Sequence, residues 1–233
     1  MWRLAPRLAL RAAGLQVAGC CAAHAYASSA PSAEAVYEAM NSMFAGLPDV
    51  HVIPEAEEDV IDDSGGHEGY GELTVQGTTT LLRAVGLDVR DTFYDLGSGA
   101  GRVVVQLALE RPGVRAVGVE LAPTRHDVAC TALSRLEQPH RCEARLGDLL
   151  AARCDDATVV FVAGLLFDDS FMRRLAAKLA DLPKLRAIAT LRRFPPDAQA
   201  RLAGAGFEER AAKPWLACTW GDAQVHVYER HGR

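Results

Sequence analysis

Residues 93–102 read Phe-Tyr-Asp-Leu-Gly-Ser-Gly-Ala-Gly-Arg. An apolar run ends in an acid, glycines follow at every second position, and an apolar, helix-like segment over 103–109 begins at once. A strand that turns through glycines into a helix lets a ligand touch bare backbone at the carboxyl end of a parallel sheet. The spacing separates the ligands such a turn can take. A dinucleotide fingerprint places its third glycine one residue later, and position 102 is arginine. Asp95 stands just before the turn, where it repels a pyrophosphate and suits a cation such as a sulfonium or an α-ammonium. The segment therefore reads as binding S-adenosylmethionine (SAM) in preference to a nicotinamide dinucleotide.

A second β-branched strand closes on Glu120, about 20 residues past the glycine turn, where nucleoside-binding folds place an acid on the ribose hydroxyls. Its bland alternative is a solvated strand-end carboxylate. A third strand ends in Gly147-Asp148, and an acid there is placed to accept from the exocyclic amine of adenine. Gly-Asp is also a common turn dipeptide, so this signal gains its meaning from its order in the series.

With 233 residues, 49% of them apolar, and no long charged tract, one globular domain is the default. No stretch is apolar enough over sufficient length to span a bilayer. The six cysteines form no Cys-x-x-Cys pair and have no histidine at zinc-ligand spacing, so no metal site is expected. They read as reduced thiols. A formal charge of −5 argues against electrostatic grip on DNA or RNA.

Residues 1–33 differ from the rest. They hold no Asp or Glu, are rich in Ala and Ser, and carry Arg3, Arg7 and Arg11 on one helical face. That is the composition of a mitochondrial transit peptide. A secretory or plastid signal with Ala25-Tyr26-Ala27 as its cleavage site and an uncleaved, disordered tail are the alternatives. Without this segment the charge falls from −5 to −8, because three arginines and no acid leave with it.

The expected divisions are 1–33 as targeting segment or tail, 34–90 as a helical segment with a cofactor-covering loop, and 91–233 as the core. In the second, 35–47 has helical spacing, 55–63 reads as an acidic loop, and a helix runs from about 75 to 85. From Asp91 the pattern alternates. Strands are expected at 92–97, 115–121, 142–147, 157–163 and 185–191, and helices at 101–110, 123–137 and 196–204. A helix opened by Asp168-Asp169 and stopped by Pro183 should turn Phe171, Leu175, Leu179 and Leu182 inward and Arg173, Arg174 and Lys178 outward. Two closing strands fall at 207–216 and 224–230. Such βα units with a final strand pair predict an α/β fold: a Rossmann-like, doubly wound, seven-stranded sheet, mostly parallel, with one antiparallel C-terminal strand. This is the arrangement of class I methyltransferases.

In order, Tyr70-Gly71-Glu72, Asp95-Leu96-Gly97-Ser98-Gly99-x-Gly101, Val-Gly-x-Glu ending at Glu120, Gly147-Asp148, the strand 159–162 with Phe167, and Trp220-Gly221 resemble the non-SET, Dot-one type (disruptor of telomeric silencing) of histone-lysine methyltransferase in a short form. The likeness covers about residues 68–230. It implies a SAM-dependent protein-lysine N-methyltransferase. Tyr70, Glu72 and Thr74 would cover the methionine half of SAM. Asp95, Gly97, Ser98, Gly99 and Gly101 would line its amino-acid and ribose portions, Glu120 and Leu121 the ribose, and Asp148 with Leu149 the adenine. Phe161, Phe167, Trp220 and Tyr228 would form the channel for the acceptor lysine. Core packing is the plain alternative for Phe161 and Phe167, and packing of the closing hairpin for Trp220.

The sequence also departs from that family. The family carries asparagine just after the fourth strand, to place the substrate amine, and here the residues are Ala163-Gly164. Two further readings follow: a SAM-binding sensor or assembly protein with weakened catalysis, and an organellar lysine methyltransferase with a non-histone substrate. The expected partner is a protein bearing a lysine, a histone by resemblance, with no direct nucleic-acid binding and no transmembrane segment. A nuclear location is the alternative to the mitochondrion. The loop 192–196, rich in arginine and proline, lies at the sheet's carboxyl rim; it reads as solvated, with substrate contact as the second possibility.

Overall fold

The computed structural model of the chain describes residues 31–137 and 139–231. The leader expectation falls on residues 1–33 and so lies almost wholly outside the described residues; the first described helix, α1 (Ala33–Phe44), already begins at Ala33.

Seven strands form one sheet: β1 (Thr92–Leu96), β2 (Arg115–Glu120), β3 (Cys142–Leu146), β4 (Val159–Val162), β5 (Ala187–Thr190), β6 (Phe207–Glu209) and β9 (His226–Arg230). Their order is β3-β2-β1-β4-β5-β9-β6. β9 runs antiparallel to both neighbours and every other pairing is parallel. Strands β4 and β5 are buried at every position, as expected of strands covered on both faces. Alternate residues feed two apolar layers. Phe93, Val159, Phe161, Ala187 and Val227 pack with Leu81 and Leu82 of α3 (Val75–Ala84) and Val104 and Leu107 of α4 (Arg102–Glu110). Tyr94, Leu96, Val160, Ile188 and Tyr228 pack with Phe171, Leu175 and Leu179 of α6 (Asp169–Asp181) and Leu202 of α7 (Pro196–Gly204). Because β1 lies between β2 and β4, the chain order reverses beside it. That is the place where an open α/β sheet leaves a crevice at its carboxyl ends.

Several expectations are corrected. Residues 55–63 form a helix, α2 (Glu55–Asp63), instead of an acidic loop. Glu55, Glu57 and Glu58 in its first turn suit the positive end of the helix dipole, and Ile61 buries beside Ile53 and Ala122. The penultimate strand is only Phe207–Glu209. The stretch after it makes a separate hairpin, β7 (Trp215–Cys218) and β8 (Gly221–Gln224), docked on α3. Gly77 of α3 permits that docking, since a β-carbon there would lie 2.1 Å from the Ala217 carbonyl oxygen. Strand β1 stops at Leu96, one residue short of its expected end. Lys178 folds back to donate to the carbonyls of Leu149, Leu150 and Ala152.

Candidate active site

A cleft of about 390 Å³ opens at the carboxyl ends of β1, β2, β3 and β4. Its floor is the glycine turn. Gly97, Gly99 and Gly101 have φ of 85°, 54° and 78°, a region that side chains disfavour. Gly97 and Ser98 donate to the Val119 carbonyl at 2.8 and 3.0 Å, which ties the turn to β2. Glu120 completes it. One carboxylate oxygen accepts from Gly99 N at 2.8 Å and the other from Ala122 N at 2.9 Å. Each oxygen keeps a lone pair for a further donor.

Asp95 lies at the bottom of this cleft, 3% exposed, and its carboxyl group has no hydrogen-bond partner among the described residues. Burial, and then the charge of Glu120, push its pKa well above the usual carboxylate range. A buried acid without a donor is costly, and a cation beside it would relieve the cost. Toward β3, Asp148 accepts from Leu150 N at 2.7 Å, and Leu149 approaches Gly97. Leu121, Asp148 and Leu149 all line the cleft, and Lys178 holds the carbonyls of Leu149, Leu150 and Ala152 in place.

The loop before α3 forms the cover. The Tyr70 ring packs on Gly99, where a β-carbon would meet it at 2.5 Å. Its hydroxyl donates to Glu72 at 2.7 Å and accepts from Ala100 N at 3.2 Å. Burial and the Glu72 charge raise the Tyr70 pKa, so the phenol stays protonated. Glu72 also pairs with Arg102 Nε at 2.6 Å, and that guanidinium lies 4.2 Å from the Phe44 ring. At the other side of the opening stand Phe161, Ala163, Gly164, Leu165, Leu166, Phe167 and Trp220. Phe167 packs on Phe171 with centroids 4.2 Å apart, and Leu165, Leu166 and Trp220 are exposed at the rim.

The expected site residues thus divide. Tyr70, Glu72, Asp95, Gly97, Ser98, Gly99, Glu120, Leu121, Asp148, Leu149, Phe161, Phe167 and Trp220 line one cleft, and Thr74, Gly101 and Tyr228 do not. Thr74 caps α3, accepting from Gly77 N and donating to the Ala217 carbonyl. Gly101 faces α5 (Pro123–Ser134), where a β-carbon would meet that of Ala129 at 2.9 Å. Tyr228 is 2% exposed in the α6–α7 layer and its hydroxyl accepts from Phe194 N at 3.4 Å. The arginines of the rim loop are committed to acids: Arg192 to Asp169 at 2.7 Å and Arg193 to Glu209 at 2.7 Å. Arg102, Arg125 and Leu166 line the cleft without having been singled out. Arg102 adjoins the third glycine and its position could have marked it. Arg125 and Leu166 gain their roles from segments far away in sequence.

Residues 49–144 match the profile of the family described as "Histone methylation protein DOT1". The chain is 31% identical over 141 residues to the H3 lysine-79-specific histone-lysine N-methyltransferase of Drosophila melanogaster, covering 55% of this chain and 8% of that protein. It is 28% identical over 148 residues to the protein of the same description from Cryptococcus neoformans, covering 58% of this chain and 23% of the relative. The chain therefore spans a small part of these relatives' length. Among solved structures, magnesium protoporphyrin IX methyltransferase from Synechocystis PCC 6803 with bound SAM superposes with a TM-score of 0.55 at 13% identity, over 84% of this chain and 91% of that one. A glycopeptide N-methyltransferase complexed with sinefungin gives a TM-score of 0.52 at 14% identity, over 78% and 99%. The fold is that of the class I methyltransferases.

Proposed function

We propose that this chain, a relative of the DOT1 histone-methylation family with a class I methyltransferase fold, uses SAM to methylate a lysine side chain of a protein. The observation that carries the SAM reading is the carboxyl of Asp95, which lines the cleft beside the glycine turn, buried and without a hydrogen-bond partner among the described residues. The residues present fit the group. Glu120 has lone pairs left for a ribose diol, Asp148 and Leu149 of the cleft lining would take the adenine, and Asp95 would answer a cationic amino-acid end.

SAM supplies an electrophilic methyl group on a sulfonium sulfur. The chain's own task is to hold nucleophile and methyl in line, about 3 Å apart, and to exclude water. Tyr70 closes the cofactor side, while Phe161, Phe167, Leu166 and Trp220 make an apolar passage on the acceptor side. A lysine must lose its proton before attacking, and its solution pKa is about 10.4. A dry aromatic passage disfavours the ammonium and lowers that value.

Lysine is the acceptor named in the relatives' descriptions. The family match ends at residue 144, before Phe161, Phe167 and Trp220 enter. Ala163-Gly164 in place of asparagine favours a second reading, a non-histone or slowly methylated acceptor. The acid-free leader also points to the mitochondrion, whereas a histone acceptor requires the nucleus. The deciding experiment incubates the purified chain with tritiated SAM and either recombinant nucleosomes or mitochondrial lysate, then locates label by mass spectrometry. Label on a lysine supports the proposal. Label on another atom type overturns the acceptor, and failure to bind SAM overturns the whole reading.

A further inference from the structure

Two distant stretches of the segment before α3 converge on one side chain. Arg125, in the first turn of α5, is 4% exposed and lines the cleft. Its Nε donates to the Val50 carbonyl at 3.3 Å and its Nη2 to the Glu68 carbonyl at 2.7 Å, and its guanidinium carbon lies 4.6 Å from the Tyr70 ring centroid. No carboxylate pairs with it among the described residues. The charge is held by two carbonyls and a ring face, which is adequate solvation for a guanidinium and poor for a compact ammonium. Its partners, two carbonyls and the Tyr70 ring, all belong to the segment before α3, so that segment moves away only when these contacts break.

The place where it binds matters. Val50 packs with Ala100 of the glycine turn and Val128 of α5, beside Tyr70. Glu68 and Tyr70 begin the cover, and Gly69 is seated under Leu166, where a β-carbon would come within 2.4 Å. Arg125 therefore joins the cover to the helix that follows the Glu120 strand. Tyr70 and the Gly97–Gly99 turn line the cleft together, and a nucleoside held in it leaves when that joint opens. Arg135, at the far end of α5, supplies a contrast. Its Nη1 donates to the carbonyls of Met43 and Ala45 at 2.8 and 2.9 Å, and it does not line the cleft.

We propose that Arg125 is a positioning residue for the cofactor: its fork holds the Glu68–Tyr70 cover closed and sets the rate at which the spent nucleoside leaves. The inference rests on the SAM reading of the cleft. The test uses the full chain and S-adenosylhomocysteine, with binding by calorimetry and dissociation by stopped flow. Arg125→Met should raise the dissociation constant about tenfold, mainly through faster dissociation, and raise KM for SAM more than it lowers kcat. Arg125→Lys keeps the charge but cannot hold both carbonyls, so it should recover only part of the loss; it also carries the test if the methionine variant does not fold. Amide hydrogen exchange at 66–72 should quicken in both. Arg135→Met should lower the melting temperature and leave affinity unchanged. An unchanged dissociation rate in the Arg125 variants, or an equal loss of affinity in Arg135→Met, overturns the inference. If the parent chain binds no S-adenosylhomocysteine, the SAM reading itself fails and takes this inference with it.

Discussion

Trp220 lies so close over Gly71 that a β-carbon on the glycine would come within 2.2 Å of the indole Cε3 and Cζ3 atoms. The backbone reinforces the contact: Thr219 N donates to the Glu72 carbonyl at 2.9 Å, and Glu72 N donates to the Thr219 hydroxyl at 3.2 Å. The tip of the β7–β8 hairpin and the cover over the glycine turn are thus one unit. Tyr70 faces the glycine turn from it, and Trp220 faces the opening. Gly71→Ala should displace the indole, because ring atoms cannot yield 1 Å in place. We expect a shifted tryptophan emission and a methylation rate lowered by roughly an order of magnitude, with S-adenosylhomocysteine affinity within about threefold of the parent. Unaltered emission and rate would show that the contact has no part in acceptor placement.

Glu120 serves the fold as well as the proposed cofactor site. Its two oxygens take the amides of Gly99 and Ala122, so Glu120→Ala leaves two buried N–H groups unpaired in addition to removing the proposed ribose acceptor. The expected cost is about 1–3 kcal/mol of stability per orphaned group, with a further loss of cofactor affinity. Chemical denaturation and calorimetry on the same preparation separate the two. A variant as stable as the parent would mean that the glycine turn does not depend on this carboxylate.

Asp95 gives a pH-dependent prediction with a definite sign. Its folded pKa is raised above the ~3.9 of an unfolded aspartate. Its contribution to the stability of the ligand-free chain is therefore fully present below about pH 3.9 and is lost as pH rises through the folded value. Asparagine has no proton to lose. The melting temperature of Asp95→Asn relative to the parent should climb as pH rises through that interval and then level. At neutral pH the same variant should bind SAM on the order of tenfold more weakly, and lose more affinity for SAM than for S-adenosylhomocysteine, which lacks the sulfonium charge. Parallel melting curves across pH would refute the burial argument, and equal SAM affinity would refute the electrostatic one.

What was legible in the sequence was what neighbouring residues dictate. The glycine turn, Glu120 at the end of β2 and Gly147-Asp148 after β3 depend on a strand and the few residues beyond it, so their order along the chain fixed their order along the sheet edge. Tyr70 and Trp220 became legible through family resemblance. The misses are contacts between distant segments. Thr74 looked like part of the cover until Ala217 arrived from a hairpin about 140 residues later to take its hydroxyl. Gly101 fits the turn's pattern, yet its missing side chain makes room for Ala129 of α5. Tyr228 alternates with Val227 along β9, and the register with Ile188 turns the tyrosine toward Phe194. Residues 55–63 looked like a loop because their acids outnumber their apolar groups, and the single buried Ile61 anchors the helix.

The absence of asparagine after β4 gives the most direct test of the acceptor. Gly164 has φ +59°, a conformation asparagine tolerates better than most side chains. Its β-carbon would lie 3.3 Å from Phe167 Cδ2, so the ring must yield by a few tenths of an ångström. Gly164→Asn would place a carboxamide at the lining of the passage, able to accept from an amine that the present apolar wall leaves without a partner. Gly164→Ala is the control, adding the β-carbon and its strain, roughly 1 kcal/mol, without the carboxamide. If the acceptor is lysine, Gly164→Asn should methylate it several-fold faster than Gly164→Ala, with equal S-adenosylhomocysteine affinity in the two variants. If both lose activity alike, the passage has no use for a carboxamide, and the acceptor is a group that an apolar wall serves better than lysine.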